Sequence, residues 1–212
     1  MYRGVEGQAT ARSLGSLQFR VPPLTRRVGI VTGISGVGKT SLLKKVATAI
    51  PMQVLSASSL IRNSLAQTEE QNTPQDRLCA RDIDDNQAAM LKAFKRYANP
   101  DTTLIVLDAH VVVDTPNGLT RVGSDVFREI NADFVVFVKD EPRKIHTNRE
   151  RDGSRSRPKR SVESLAKYQD IAIAAARDLS KDLSIPIYFV DGGDGNALSE
   201  ILKNIQEIGP DV

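Results

Sequence analysis

The chain has 212 residues, of which 40% are hydrophobic and 26% are charged, so it is long enough for one domain with a sizeable core and too apolar to be intrinsically disordered. The formal net charge of +3 is too small to indicate nucleic-acid binding by itself. One cysteine and two histidines exclude an internal disulfide and a conventional Cys/His zinc cluster.

The first 25 residues contain Gly, Ser, Gln and several Arg with weak periodicity, and the segment ends in "VPPLT". This composition predicts a flexible basic extension, residues 1–25, ahead of a single domain, residues 26–212. The extension lacks the apolar core of a secretory signal, and no run of about 18 apolar residues occurs anywhere in the chain. We therefore expect a cytoplasmic protein without a membrane span.

Strand and helix patterns alternate along the domain without an internal repeat. The apolar runs are continuous, which is typical of parallel strands covered on both faces. The predicted fold is therefore a doubly wound α/β layer sandwich with a five-stranded parallel sheet. Its predicted strands are 27–33, 52–57, 102–110, 132–138 and 185–192. Its predicted helices start near residues 40, 58, 82, 141, 161 and 196.

The sequence "GISGVGKTS", residues 33–41, contains a complete G-x-x-x-x-G-K-S/T motif between a predicted strand and a predicted helix. Its glycines allow a tight turn that directs several backbone N–H groups toward one point, where the helix dipole adds positive potential. We expect this loop to bind a nucleoside triphosphate, with the Lys39 ammonium reaching the β- and γ-phosphates. The predicted binding residues are Gly33, Ile34, Ser35, Gly36, Val37, Gly38, Lys39, Thr40 and Ser41.

A carboxylate follows the third predicted strand, "TLIVLD". Asp108 ends this strand, so it should emerge at the carboxyl edge of the sheet, where ligands of open α/β folds bind. The Thr40 hydroxyl is expected at the same edge. The Thr40 hydroxyl and the Asp108 carboxylate form a candidate Mg²⁺ site. Alternatively, Asp108 caps a turn and binds no metal.

Residues 149–160 read "RERDGSRSRPKR", a basic stretch that precedes the last predicted strand. A linker between domains is excluded because the sheet closes after this stretch. A solvated loop and a nucleic-acid arm remain alternatives, but phosphoryl transfer requires positive charge and exclusion of water, which an arginine-rich lid supplies. Arg149 and Arg151 are the predicted catalytic arginines. Less certain candidates are Arg155, Arg157, Lys159 and Arg160.

The segments "GISGVGKTS", "IVLDAHVVVDTPNG", "EINADFVVFV" and "RERD" resemble, in order and spacing, those of archaeal-type adenylate kinases. The resemblance covers roughly residues 27–205. It implies a P-loop nucleoside monophosphate kinase sheet of order 2-3-1-4-5 with a short lid, transfer from Mg²⁺-ATP to AMP, and a homo-oligomer. It also implies that Asp108 and His110 lie beside the acceptor and the metal.

The resemblance is poor across residues 51–100, although an acceptor-binding segment is expected at about 56–100. Arginines suit a doubly charged monophosphate, so Arg62, Arg77 and Arg81 are candidates alongside His110. Each arginine could equally be a surface residue, and His110 could instead be a hydrogen-bonded histidine at a strand end. Two other functions stay open: a kinase for a different small acceptor, and an ATPase switch associated with RNA, the ribosome or a protein partner.

Overall fold

The protein is described by a computed structural model that covers residues 26–66, 83–115, 118–153 and 158–207. The predicted extension 1–25 lies outside the described residues, as do parts of the acceptor segment, 67–82, and of the lid, 154–157. The described strands are β1 (Arg27–Thr32), β2 (Gln53–Ser56), β3 (Leu104–Asp108), β4 (Val112–Thr115), β5 (Gly118–Arg121), β6 (Phe134–Lys139) and β7 (Ile187–Asp191). The described helices are α1 (Lys39–Val46), α2 (Ala57–Ala66), α3 (Ile83–Tyr97), α4 (Ser124–Glu129), α5 (Pro142–Arg151), α6 (Val162–Leu183) and α7 (Gly195–Glu207).

Five strands form one parallel sheet in the order β2-β3-β1-β6-β7. Numbered among themselves in chain order, these strands run 2-3-1-4-5, so the fold and the strand order expected from the sequence are confirmed. Val31 pairs with Asp108, and Thr32 pairs with Phe137. The carboxyl ends of β1, β3 and β6 therefore meet at one edge of the sheet, directly beside the glycine-rich loop.

The central strands are buried on both faces. Leu104, Ile105, Val106 and Leu107 of β3 are 0% exposed, although successive side chains of a strand point to opposite faces. Helices must therefore cover both sides of the sheet. Helix α1 packs against α7, and α6 packs against α5 and β6. This burial fixes the strands and gives the loops at the carboxyl edge a rigid support.

Two elements were not predicted from the sequence. Strands β4 and β5 pair antiparallel as a separate hairpin, with Val112 opposite Arg121 and Thr115 opposite Gly118. The short helix α4 follows the hairpin and buries Val126 and Phe127. Neither element disturbs the parallel sheet, but the hairpin lies close to the site described below.

The described helices include none that is both long and apolar enough to cross a membrane.

Candidate functional site

The glycine-rich loop between β1 and α1, residues 33–41, is called the phosphate loop below. It contains three glycines with positive φ. Their φ angles are 145° at Gly33, 92° at Gly36 and 94° at Gly38, a region that side chains other than glycine rarely occupy. Gly38 is the N-cap of α1, and no side chain caps this helix end. The N–H groups of the first turn are therefore not satisfied by a side-chain cap, and together with the helix dipole they favour an anion at this position.

The surroundings of these glycines differ. A Cβ atom at Gly33 would overlap the Val138 carbonyl, and one at Gly36 would lie 2.5 Å from Cγ of Arg149. A Cβ atom at Gly38 would have no neighbour within 4 Å. Gly33 and Gly36 thus allow close packing of the loop, whereas Gly38 borders the open cleft.

Lys39 folds back over the loop. Its side chain is buried, and Nζ donates to the carbonyl oxygens of Gly33 at 2.8 Å and Ile34 at 3.4 Å. The Gly33 carbonyl lies 2.9 Å from Nδ1 of His110 as well. A carbonyl can only accept, so Nδ1 of His110 carries the proton in this contact. The structure therefore places His110 against the phosphate loop, and its predicted contact with an acceptor stays a prediction.

Thr40 and Asp108 meet at the carboxyl edge of the sheet, as the sequence predicted. Oγ1 of Thr40 donates to Oδ2 of Asp108 at 3.0 Å, and both residues line the cleft. Hydroxyl and carboxylate oxygens are ligands that suit Mg²⁺. Within the described part of the chain, no group of three or more His, Cys, Asp or Glu side chains is arranged to hold a metal ion.

The predicted catalytic arginines both belong to the last turn of α5. Arg149 lies across Gly36, and its Nη2 donates to the Pro158 carbonyl at 3.0 Å. The preceding residue, Asn148, donates through Nδ2 to the Gly36 carbonyl at 3.1 Å. Arg151 is exposed at the end of the helix. The helix end thus contacts the phosphate loop through Asn148 and Arg149. The catalytic role of Arg149 and Arg151 stays a prediction.

Of the other basic candidates, Lys159 and Arg160 belong to the described residues, and their surroundings differ. Arg160 makes a bidentate ion pair with Asp114 of the hairpin, at 2.8 Å and 2.6 Å, and this hydrogen bonding raises the pKa of its guanidinium above the ordinary value. Lys159 is exposed. The other two candidates, Arg155 and Arg157, lie outside the described residues.

One cleft of about 1010 Å³ connects these parts. It extends from Arg62 on α2, across the phosphate loop, to Gly192 and Gly193 after β7. Arg62 is exposed, and its Nη2 donates to Oγ of Ser59 at 3.2 Å. Arg77 and Arg81, the other predicted acceptor arginines, lie outside the described residues.

Sequence reasoning missed the wall of the cleft on the β7 side. Lys144 pairs with Asp140 at 2.7 Å and donates to the Gly192 carbonyl at 3.0 Å. A Cβ atom at Gly192 would overlap the Asp140 carboxylate and approach the Val37 carbonyl to 2.8 Å. The available signal was the glycine-rich "DGGDGN" after the last strand, at the edge of the sheet that binds ligands.

Comparison with known proteins agrees with this geometry. A family model described as an AAA domain matches residues 32–166, which is more than half of the chain. The chain belongs to this family. The match begins at the last residue of β1 and includes the glycine-rich loop, Asp108 and the basic stretch.

Curated relatives are archaeal adenylate kinases. The enzyme of Thermoplasma acidophilum is 27% identical and the alignment covers 83% of this chain and 97% of the relative. The enzyme of Pyrococcus abyssi is 24% identical over 85% of this chain and 94% of the relative. The archaeal adenylate kinase-like resemblance predicted from the sequence is therefore confirmed.

Solved structures show the same fold. A shikimate kinase from Bacteroides thetaiotaomicron superimposes with a TM-score of 0.53 at 15% identity, covering 86% of this chain and 99% of that one. A putative kinase from Chloroflexus aurantiacus gives 0.54 at 17% identity, covering 89% and 100%. These structures support the fold alone. The adenylate kinases and the matching family model support a nucleotide kinase, and they do not fix the acceptor.

Proposed function

We propose that the protein is an adenylate kinase-like phosphotransferase that transfers the γ-phosphoryl group of Mg²⁺-ATP to AMP. The observation that carries the proposal is one cleft that is lined by the phosphate loop together with Arg62 of α2 and Gly192 after β7. Direct transfer between two nucleotides requires space for an acceptor beside the loop, and the cleft extends beyond the loop. The adenylate kinases among the relatives support AMP as the acceptor.

Lys39 would serve the transferring phosphate. Its ammonium is bonded to loop carbonyls in this structure, so it lies beside the loop and is shielded from bulk water. Phosphate oxygens carry more negative charge than a carbonyl and compete for the same ammonium. Charge on the phosphoryl group grows during transfer, so a cation held at this place lowers the barrier.

Thr40 and Asp108 are the residues that would hold Mg²⁺, because their oxygens are adjacent and line the cleft. The bound ion would neutralise part of the charge on the β- and γ-phosphates. The Thr40–Asp108 hydrogen bond holds the two oxygens next to each other.

The protein needs to supply only positioning and charge neutralisation for this reaction. The acceptor phosphate of AMP is already ionised, so no strong base is needed, and catalysis depends on positioning and on charge neutralisation. Arg149 and Arg151 at the end of α5 are the proposed partners of the transferring group. Arg62, His110 and Arg81 are the proposed acceptor residues.

An acceptor screen tests the proposal. Purified protein is mixed with Mg²⁺-ATP and with AMP, GMP, CMP, UMP or no acceptor, and ADP is quantified. We expect ADP formation that depends strictly on AMP. The Lys39→Ala variant, purified in the same way, is the control for a contaminating kinase. It lacks the proposed catalytic cation, so activity that remains in it would come from a contaminant.

Two other outcomes would replace the proposal. Faster transfer to another monophosphate would assign a different acceptor. ATP hydrolysis without any acceptor, together with salt-sensitive RNA binding that AMP does not affect, would indicate an ATPase switch.

A further inference from the structure

The hairpin β4–β5 is attached to α6 at several points. Asp114 of the hairpin accepts from Nε of Arg160 at 2.8 Å and from Nη2 at 2.6 Å, and this pair lies just before α6. The Tyr168 hydroxyl donates to the Val112 carbonyl at 3.1 Å. At the other end of the hairpin, Arg121 pairs with Asp178 at 2.7 Å.

The two ion pairs differ in burial and geometry. The side chains of Arg160 and Asp114 are 23% and 11% exposed, whereas those of Arg121 and Asp178 are 57% and 52% exposed. The first pair is bidentate, and Arg160 donates to Ser164 as well and lies 5.8 Å from the centre of the Tyr168 ring. A bidentate, partly buried pair holds its two segments in one geometry, whereas an exposed pair does so weakly.

Arg160 lies two residues after Pro158, whose carbonyl accepts from Nη2 of Arg149 at 3.0 Å. The stem of Arg149 lies against Gly36 of the phosphate loop. The contacts therefore form a continuous path from Asp114, through Arg160 and Pro158, to Arg149 and the loop. Nothing in the proposed reaction requires Asp114 or Arg160 to touch a nucleotide.

We propose that Asp114 and Arg160 are positioning residues: their ion pair fixes the Pro158 carbonyl, which holds Arg149 across the phosphate loop. This inference rests on the proposed function, in which Arg149 acts on the transferring phosphoryl group. Loss of the pair frees the carbonyl to move, and Arg149 then loses the contact that orients it. Such a loss affects a group used in the transition state more than it affects ATP binding.

Steady-state kinetics test the proposal with a matched control. Asp114→Asn removes the charge while keeping the shape, and Arg160→Lys keeps the charge while losing the planar fork. We expect each to lower kcat by about tenfold while changing KM for ATP by less than about twofold. The control, Asp178→Asn, makes the same change in the ion pair at the other end of the hairpin and should leave both constants unchanged.

A double variant tests the path itself. If Asp114 acts through Arg149, then Asp114→Asn combined with Arg149→Ala should turn over like Arg149→Ala alone. Independent, multiplicative losses in the double variant would overturn the proposal. Equal losses in Asp114→Asn and Asp178→Asn would overturn it too, since they would indicate a general effect of detaching the hairpin.

Hydrogen exchange provides a readout that does not need an active acceptor. In the full-length protein, Asp114→Asn or Arg160→Lys should accelerate amide exchange in 33–40 and in the end of α5, while Asp178→Asn should match the wild type. Unchanged exchange in both Asp114→Asn and Arg160→Lys would refute the positioning role. If the wild-type protein transfers phosphate to none of the monophosphates, the proposed function is wrong. The amide hydrogen exchange of the variants then tests the positioning role by itself. Arg160→Lys keeps the test possible if Asp114→Asn does not fold.

Discussion

Gly36 and Gly38 have nearly the same φ angle and different surroundings, so alanine substitutions at these two positions can be compared. Their φ angles are 92° and 94°, so alanine at either position should cost about 1–2 kcal/mol for the left-handed conformation. Alanine also restricts the unfolded chain, which offsets part of that cost equally at both positions. The difference between the two variants therefore isolates packing.

At Gly36 the new methyl group would lie 2.5 Å from Cγ of Arg149 and 3.3 Å from the Ile145 carbonyl. Cγ is close to the backbone of α5, and a carbonyl is part of it, so relief requires the helix to shift. Overpacking of this kind costs about 1–3 kcal/mol. At Gly38 the methyl group would meet no atom within 4 Å, so this cost is absent.

We therefore expect Gly36→Ala to be less stable than Gly38→Ala by about 1–3 kcal/mol, which corresponds to a lower Tm by about 2–12 °C for a chain of this size. The assay is thermal unfolding without nucleotide, followed by circular dichroism. Added ATP raises the Tm of a protein that binds it in the native state. Gly38→Ala should lose most of this increase, because its methyl group would enter the space proposed for phosphate. Equal Tm values without ATP, or a lower Tm for Gly38→Ala, would refute the reasoning about loop packing.

Four substitutions address the proposed chemistry. Lys39→Ala should lower the rate of phosphoryl transfer by a factor of about 10² or more, because it removes a cation from the developing negative charge, and its circular dichroism spectrum should not change. Wild-type turnover in this variant would contradict the assignment of the phosphate loop. Asp108→Asn should weaken Mg²⁺-dependent activity far more than metal-free ATP binding, and a Mg²⁺ titration that matches the wild type would remove Asp108 from the metal site. Arg151→Ala should lower kcat by about 10²-fold while ATP affinity changes little, and Arg157→Ala should lower it much less. Similar kcat values for the two arginine variants would argue against a specific role for Arg151.

Most of the fold could be predicted from local sequence patterns. The strands β1, β3 and β6 are continuous apolar runs because both of their faces are buried, and such runs are visible without a structure. The glycine-rich loop was equally visible, because positive φ angles require glycine at fixed positions. Hairpin β4–β5 was missed, although "VVVDTPNGLTR" contains turn residues between short runs of β-branched and polar residues.

Contacts between distant segments could not be predicted in this way. Arg160 and Asp114 are separated by 46 residues, and no periodic sequence pattern predicts that they form an ion pair. We interpreted the basic stretch as a lid with Arg149 and Arg151 as its catalytic arginines, and the structure gives two of its arginines different partners: Arg149 contacts the phosphate loop, and Arg160 binds the hairpin. A cluster of like charges predicts an anionic partner only on average, because an individual arginine can satisfy its guanidinium with a carboxylate of the same chain.

The carbonyl of Gly33 has two side-chain donors, Lys39 and His110. It accepts from Nζ of Lys39 at 2.8 Å and from Nδ1 of His110 at 2.9 Å, and a carbonyl oxygen has two lone pairs for these donors. In the proposed reaction the ammonium turns toward phosphate, which would leave a buried carbonyl unpaired at a cost of about 1–3 kcal/mol if Lys39 were its sole donor. With the His110 bond kept, the proposed release of the lysine would avoid that cost. Asp108 precedes His110 by two residues, so the end of β3 would supply both a carboxylate to the proposed metal site and an imidazole to the phosphate loop.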